Sequence, residues 1–152
     1  MAPTFQKAKP EDRGLVLEMM REYYAFDHLT LDERAARAAL EQILADERNG
    51  RVWLIKDGET VAGYAVLALG FSLEYHGREA FIDELYLKEE FRGKGFGRRA
   101  LEFLEDRCRK PGVKALHLEV ERENEKARGV YLKNGFTDNE RFLMTKRIEE
   151  KK

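Results

Sequence analysis

The junction between residues 80–87 and the helix that follows them constrains this chain most. Residues 80–87 read AFIDELYL, a run of strand formers broken only by Asp83 and Glu84. Residues 91–100 then read FRGKGFGRRA. Beyond them Leu101, Leu104 and Cys108 recur at helical spacing, which predicts a helix over Phe96–Arg109, stopped by Pro111 and Gly112. A strand that passes through glycines into a helix belongs to a layered α/β fold. Glycine is costly to order, so Gly93, Gly95 and Gly97 mark a place where something comes close to the backbone. The start of a helix has unpaired N–H groups and the positive end of the helix dipole, and phosphate is its usual ligand. Arg92, Lys94, Arg98 and Arg99 add charge-assisted partners for an anion. A dinucleotide fingerprint is excluded, because position 98 holds arginine where GxGxxG needs glycine. A P-loop is excluded by the absence of GxxxxGK followed by Ser or Thr. The alternative on spacing alone is a tight turn carrying solvated basic residues.

The remaining elements follow from period and punctuation. Residues 4–8 form a short candidate strand. Pro10 suits a first helical turn, and Leu15, Met19, Tyr23 and Phe26 continue at helical spacing. Thr30-Leu31-Asp32-Glu33 resembles a capping box that opens a second helix to about Ala45. Residues 52–55 form a strand, Asp57-Gly58 a hairpin turn, and residues 61–69 a strand apolar on both faces. Residues 70–78 are expected as a loop, 113–120 as a strand, and Ala127, Val130 and Tyr131 as part of a last helix that Gly135 caps. A final strand is expected within 136–148, centred on 142–146. The sum is a mixed central sheet of six strands with four helices packed on it, in a single domain over residues 1–152 with a frayed tail at 149–152.

Composition narrows the class. A chain of 152 residues, 43% hydrophobic and 38% charged, is globular and highly charged. Its formal net charge of -1 gives no global field for nucleic acid, and no membrane-spanning run of apolar residues exists. One cysteine, Cys108, forbids an intrachain disulfide and suits a reducing cytoplasm, and no signal peptide is visible. His28, His76 and His117 lack ligand spacing, so no metal is expected. His117 alternates away from the apolar face of its strand and is expected in a solvent or second-layer role.

Arg92-Gly93-Lys94-Gly95-Phe96-Gly97 resembles the acyl-CoA loop of the GNAT (Gcn5-related N-acetyltransferase) superfamily. Residues 81–87 resemble that family's fourth strand. Asn124, Ala127, Tyr131 and Gly135-Phe136 resemble its downstream block, and the element order fits across nearly the whole chain. The resemblance implies an acyl-CoA N-acyltransferase fold whose fourth and fifth strands splay apart, often at a bulge. The pantetheine arm would lie in that gap against the backbone of Leu85, Tyr86 and Leu87. The pyrophosphate would sit on the N–H groups from Gly93 to Arg98, and Asn124 would contact pantetheine or cap the next helix.

The implied reaction is acetyl transfer from acetyl-CoA to a primary amine by direct attack. No enzyme nucleophile is needed, and Cys108 sits in an apolar helical stripe where it packs. The departing thiolate needs a proton, and Tyr131 resembles the family's general acid, with core packing as the alternative. The attacking amine must lose a proton, and Glu84 is the first candidate base. A carboxylate in an apolar central strand needs a reason, because burying its charge costs several kcal/mol unless it is paired. The alternative for Glu84 is an ion pair with Arg or Lys; Asp83 and Glu119 are rival bases. The backbone N–H of Leu85 would polarise the thioester carbonyl. Tyr23, Tyr24, Phe26 and Asp27 would border the acceptor cleft, and residues 71–76 would form a loop able to close over it. The acceptor would be a cation: a polyamine, an amino sugar, an amino-acid-like amine, or a peptide lysine or N-terminus.

Two rival readings remain at the level of sequence. One is a non-catalytic CoA-binding sensor or scaffold; the other is a nucleic-acid binder using the patch at 92–99. The resemblance also allows a homodimer, which the sequence does not fix. The expected partners are acetyl-CoA and an amine, with neither nucleic acid nor membrane.

Overall fold

A computed structural model describes residues 2–150, which fall into two compact units divided after Glu119. The first unit contains β1 (Thr4–Lys7), a 3-10 turn at Pro10–Asp12, α1 (Arg13–Phe26), α2 (Glu33–Ala45), β2 (Gly50–Asp57), β3 (Thr60–Ser72), β4 (Gly77–Leu87), a 3-10 turn at Glu89–Phe91, α3 (Phe96–Arg109) and β5 (Ala115–His117). The second unit contains α4 (Glu125–Lys133).

The sheet order is β1-β2-β3-β4-β5. The first three pairings are antiparallel and β4 pairs with β5 in parallel, so the sheet is mixed as expected. The helices divide between its faces. Val16, Leu17, Met19 and Met20 of α1 and Leu40 of α2 bury one face with Val52, Leu54, Tyr64, Val66 and Tyr86. Residues alternating with these point the other way and meet α3, where Phe103 stacks on Phe5 at 4.2 Å and meets the edge of Trp53 at 5.3 Å. Cys108 is buried in α3, as its place in the apolar stripe requires.

Four expectations are corrected. The sheet has five strands, not six: residues 142–146 form no strand, and Phe142, Leu143 and Met144 are exposed. A strand exists only through a paired neighbour, and the second unit offers no other strand among the described residues. Residues 70–78 are not a loop. Cross-strand pairing from Gly70↔Glu79 to Ser72↔Gly77 extends the hairpin and leaves only residues 73–76 at its tip. The fifth strand covers Ala115–His117 rather than 113–120. Helix α2 is capped by Asp32, whose carboxylate accepts from the Ala35 N–H at 3.1 Å; Thr30 lies outside the helix.

Two irregularities in β4 position everything that follows. The register runs Val66↔Glu84 and then Leu67↔Ile82, so Asp83 is an extra residue in a β-bulge. The bulge puts Ile82 on the α3 face with Leu85 and Leu87, and turns Glu84 to the α1 face with Tyr86. The second irregularity is that β5 pairs with β4 only through Glu79, Ala80 and Phe81. From Ile82 onward, β4 has no strand beside it on that edge among the described residues, as a splay of the fourth and fifth strands requires. Opposite Leu87 stands Gly63, where a Cβ would lie 1.9 Å from the Tyr86 carbonyl oxygen, so only glycine lets β3 approach here.

Candidate active site

The first part of the site is the start of α3. Gly95 is its N-cap, in the left-handed region at φ 83°, and no side chain caps it. The first-turn N–H groups of Phe96, Gly97 and Arg98 therefore point out of the helix without a side-chain acceptor. Gly93 is also left-handed, at φ 74°. Gly97 has no such need: a Cβ there would meet only Leu87 Cδ1 at 4.0 Å, an ordinary contact. Nothing within the protein accounts for a glycine at position 97, whereas a ligand lying on the first turn would. The Phe96 side chain is buried and stacks on Phe91 at 6.0 Å, so this residue offers a ligand its N–H and not its ring.

Lys94, Gly95, Arg98 and Arg99 line a cleft of about 330 Å³ with Ala2 and Pro3. Arg92, expected on the same rim, goes elsewhere. Its Nε donates to the Leu87 carbonyl at 2.9 Å, and its guanidinium lies 4.3 Å from the centre of the Phe26 ring and 5.7 Å from that of Tyr86. It thus ties the end of β4 to the end of α1. Leu85, Tyr86 and Leu87 lie along the edge of β4 that β5 has left, beside the glycine loop.

The second part is Glu84. Tyr64 on β3 donates its hydroxyl to Glu84 Oε1 at 2.6 Å, and Tyr24 on α1 donates to Glu84 Oε2. Glu84 forms no ion pair among the described residues, which removes the alternative of a salt bridge with Arg or Lys. Burial pushes its carboxyl pKa above the ordinary glutamate value; the two phenols pull it back and the neighbouring Asp83 pushes it up. Burial likewise raises both phenols, with the Glu84 charge adding to the rise, so neither ionises in the neutral range. Asp83 lies outward on the bulge, its own pKa raised by desolvation, and has no such partners.

The other expected residues separate. Asn124 caps α4, its Oδ1 accepting from the Ala127 N–H at 3.1 Å. Tyr131 lies on α4 with its ring 6.0 Å from that of Phe136, and Gly135 ends the helix at φ 91°. All three belong to the second unit. His117 has its Nε2 2.9 Å from Glu79 Oε1 and sits against Tyr75 and Phe81, a partly buried pairing in the second layer. The Cys108 thiol is buried, and burial pushes its pKa up, away from the thiolate form. Phe71 and Leu73 are exposed beside the hairpin tip.

The sequence alone does not single out Tyr64, which the structure joins to Glu84. Tyr64 is fully buried and indistinguishable by period from core. One signal was available: a buried tyrosine hydroxyl needs a partner, and residues 61–69 contain none.

An uncapped helix start thus lies behind a basic loop, next to a splayed strand that carries a part-buried carboxylate. Residues 16–136 match the acetyltransferase (GNAT) family, and the chain belongs to it. The chain is 28% identical over 138 residues to an uncharacterized N-acetyltransferase, YhfO, of Bacillus subtilis (strain 168), covering 91% of this chain and 92% of that protein. It is 25% identical over 142 residues to the thialysine N-epsilon-acetyltransferase of Bos taurus, covering 88% and 83%. A solved integron cassette protein from the mobile metagenome of Cole Harbour Salt Marsh superposes with a TM-score of 0.84 at 33% identity, covering 97% of this chain and 91% of that one. The molecule is an acyl-CoA-dependent N-acetyltransferase. No described helix is long and apolar enough to cross a membrane.

Proposed function

We propose that this enzyme moves the acetyl group of acetyl-CoA to a small cationic primary amine, by direct attack and without an acyl-enzyme. The observation that carries the acceptor half is Glu84: a part-buried carboxylate with two phenol donors and, among the described residues, no ion-pair partner. Its negative charge favours a cationic acceptor, and its raised pKa suits it to take a proton. The cleft at the start of α3 fits the cofactor half. First-turn N–H groups and the Lys94, Arg98 and Arg99 side chains hold the phosphates, with Gly97 leaving room for close approach. The backbone of Leu85, Tyr86 and Leu87 pairs with the pantetheine arm. Asn124 caps α4, which orients that helix beside its family role.

Acetyl-CoA supplies the acetyl group as an activated thioester. Glu84 takes one proton from the amine, leaving the nitrogen lone pair free to bond to the acetyl carbon. The Leu85 N–H donates to the carbonyl oxygen as negative charge develops there. The tetrahedral adduct loses its second nitrogen proton to solvent and collapses with cleavage of the C–S bond; Tyr131, on the family pattern, gives its proton to the departing sulfur and is reprotonated from solvent. An amino-acid-like ε-amine is the first acceptor to test, because a relative carries thialysine in its name. Polyamines, amino sugars and peptide lysines or N-termini share the required charge.

Calorimetry with acetyl-CoA, and with ATP and NAD as controls, tests the cofactor half. Selective micromolar binding is expected; no binding to the folded chain would overturn the assignment. Release of free CoA on adding each amine in turn then identifies the acceptor. Binding without release in the presence of every amine class would leave a CoA-binding module in place of the proposed reaction.

A further inference from the structure

We propose that Tyr24 and Tyr64 are positioning residues for Glu84, a pair of phenol donors that holds the carboxylate ionised and aimed, Tyr64 from the core and Tyr24 from the end of α1. The inference rests on the reading of Glu84 as the base. Each carboxylate oxygen receives one hydroxyl, Oε1 from Tyr64 and Oε2 from Tyr24, so rotation about the end of the side chain breaks both bonds. Both hydroxyls act as donors, and the ionised carboxylate accepts from two donors more strongly than the neutral acid does. Once Glu84 holds a proton, it accepts from both phenols more weakly. The pair therefore favours the form that can act as base, against the burial that favours the neutral form.

The two phenols differ in what surrounds them. Tyr64 lies in the middle of β3, fully buried, and its backbone is paired on both sides. Tyr24 is only partly buried and stands in the last turn of α1. The Tyr24 carbonyl accepts from the Leu29 N–H at 2.7 Å, so its backbone anchors the turn that leaves the helix. That turn carries His28 at φ 57° and exposed Phe26 and Leu29.

The charged and titratable groups near Glu84 are few. Helix α1 brings Tyr24, Tyr23 and Glu22, the last accepting from the Tyr86 hydroxyl at 3.5 Å; β3 brings Tyr64; β4 brings Asp83 and Tyr86. Asp83 opposes ionisation of Glu84, and the two phenols alone among these pull its pKa down. Since burial keeps both phenols protonated, they remain donors throughout the working pH range.

The test is the titration of the Glu84 carboxyl in the full chain, followed by carbon-13 NMR of labelled glutamate and assigned with Glu84→Gln. It is run on wild type, Tyr24→Phe and Tyr64→Phe. Loss of one donor is expected to raise the Glu84 midpoint by about one pH unit in each variant. An unmoved midpoint in Tyr24→Phe, with its fold intact, would overturn the proposal. Tyr64→Phe is the second reading of the same effect, and an unmoved midpoint there would do the same. The matching kinetic arm follows CoA release with the amine found above. The acid limb of kcat/KM is expected to move up with the NMR midpoint, while the KM for acetyl-CoA stays the same. A loss equal at every pH, with the midpoint unmoved, would show that the phenols only pack. A shifted midpoint beside an unshifted acid limb would keep the phenol pair and overturn Glu84 as the base, so the two failures are distinguishable.

Discussion

Replacing Gly97 with alanine separates what the glycine does for the fold from what it does for the ligand. In the free protein the added methyl would meet only Leu87 Cδ1, at 4.0 Å, and the backbone there is ordinary right-handed helix. Alanine has less freedom to lose on folding, so Gly97→Ala should stabilise the chain by about 0.4–1 kcal/mol. For a chain of this size that raises Tm by about 1–4 °C. Acetyl-CoA binding should move the other way. A methyl on the first turn of α3 holds a phosphate away from the N–H groups and weakens one charge-assisted hydrogen bond, worth about 1.5–3 kcal/mol. The dissociation constant should rise about 10- to 150-fold. Gly95→Ala is the control with the opposite sign on stability. Its Cβ would have open space, but at φ 83° the backbone strain should cost about 1–2 kcal/mol. Thermal melts without ligand and calorimetry with acetyl-CoA read both quantities. A more stable Gly97→Ala protein that binds acetyl-CoA as tightly as wild type would refute the idea that this glycine admits a phosphate.

Two further predictions follow from Glu84 and Tyr131. The Glu84 pKa is raised in the folded state, so the stability linked to this carboxyl is whole below its ordinary value of 4.5 and is lost as pH rises through the raised one. Glu84→Gln should therefore be more stable than wild type near neutrality, by on the order of 1 kcal/mol, with the gain vanishing in acid. Urea unfolding at the two pH values measures it, and a gain that persists in acid would mean that burial of the charge is not the cause. Tyr131→Phe keeps the ring beside Phe136 and should lower kcat about 100-fold while leaving acetyl-CoA affinity intact. Unchanged turnover would remove Tyr131 as the acid.

Much of the fold was legible because its signals are local. The start and end of α3 follow from glycines before an apolar stripe and a Pro-Gly after it, and the helix spans the expected Phe96–Arg109. Asp57-Gly58 does turn β2 into β3, with Gly58 at φ 61°. The misjudged elements depended on partners. Residues 70–72 and 77–78 look like loop by composition and became strand because each pairs across the hairpin. Residues 142–146 look like strand and have no neighbour to pair with in their unit. Thr30 and Asp32 are both competent caps, and the choice between them turned on where α2 begins.

The site divides in the same way. The sequence by itself determined the exposed helix start on which the proposed anion site rests: it needs no distant partner to expose its N–H groups, and Gly93, Gly95, Lys94, Arg98 and Arg99 are all local to it. It also marked Glu84 as a carboxylate out of place in an apolar strand. Only the tertiary structure decided what answers that charge. The bulge at Asp83 changes the face on which Glu84 stands, and Tyr64 and Tyr24 reach it from 20 and 60 residues away along the chain. The same is true of Arg92, which local reasoning placed on the phosphate rim and which packing placed against Phe26 and the Leu87 carbonyl. A hydrogen bond between distant residues leaves no period in the sequence; it is set by strand register and helix packing, and these exist only once the chain has folded.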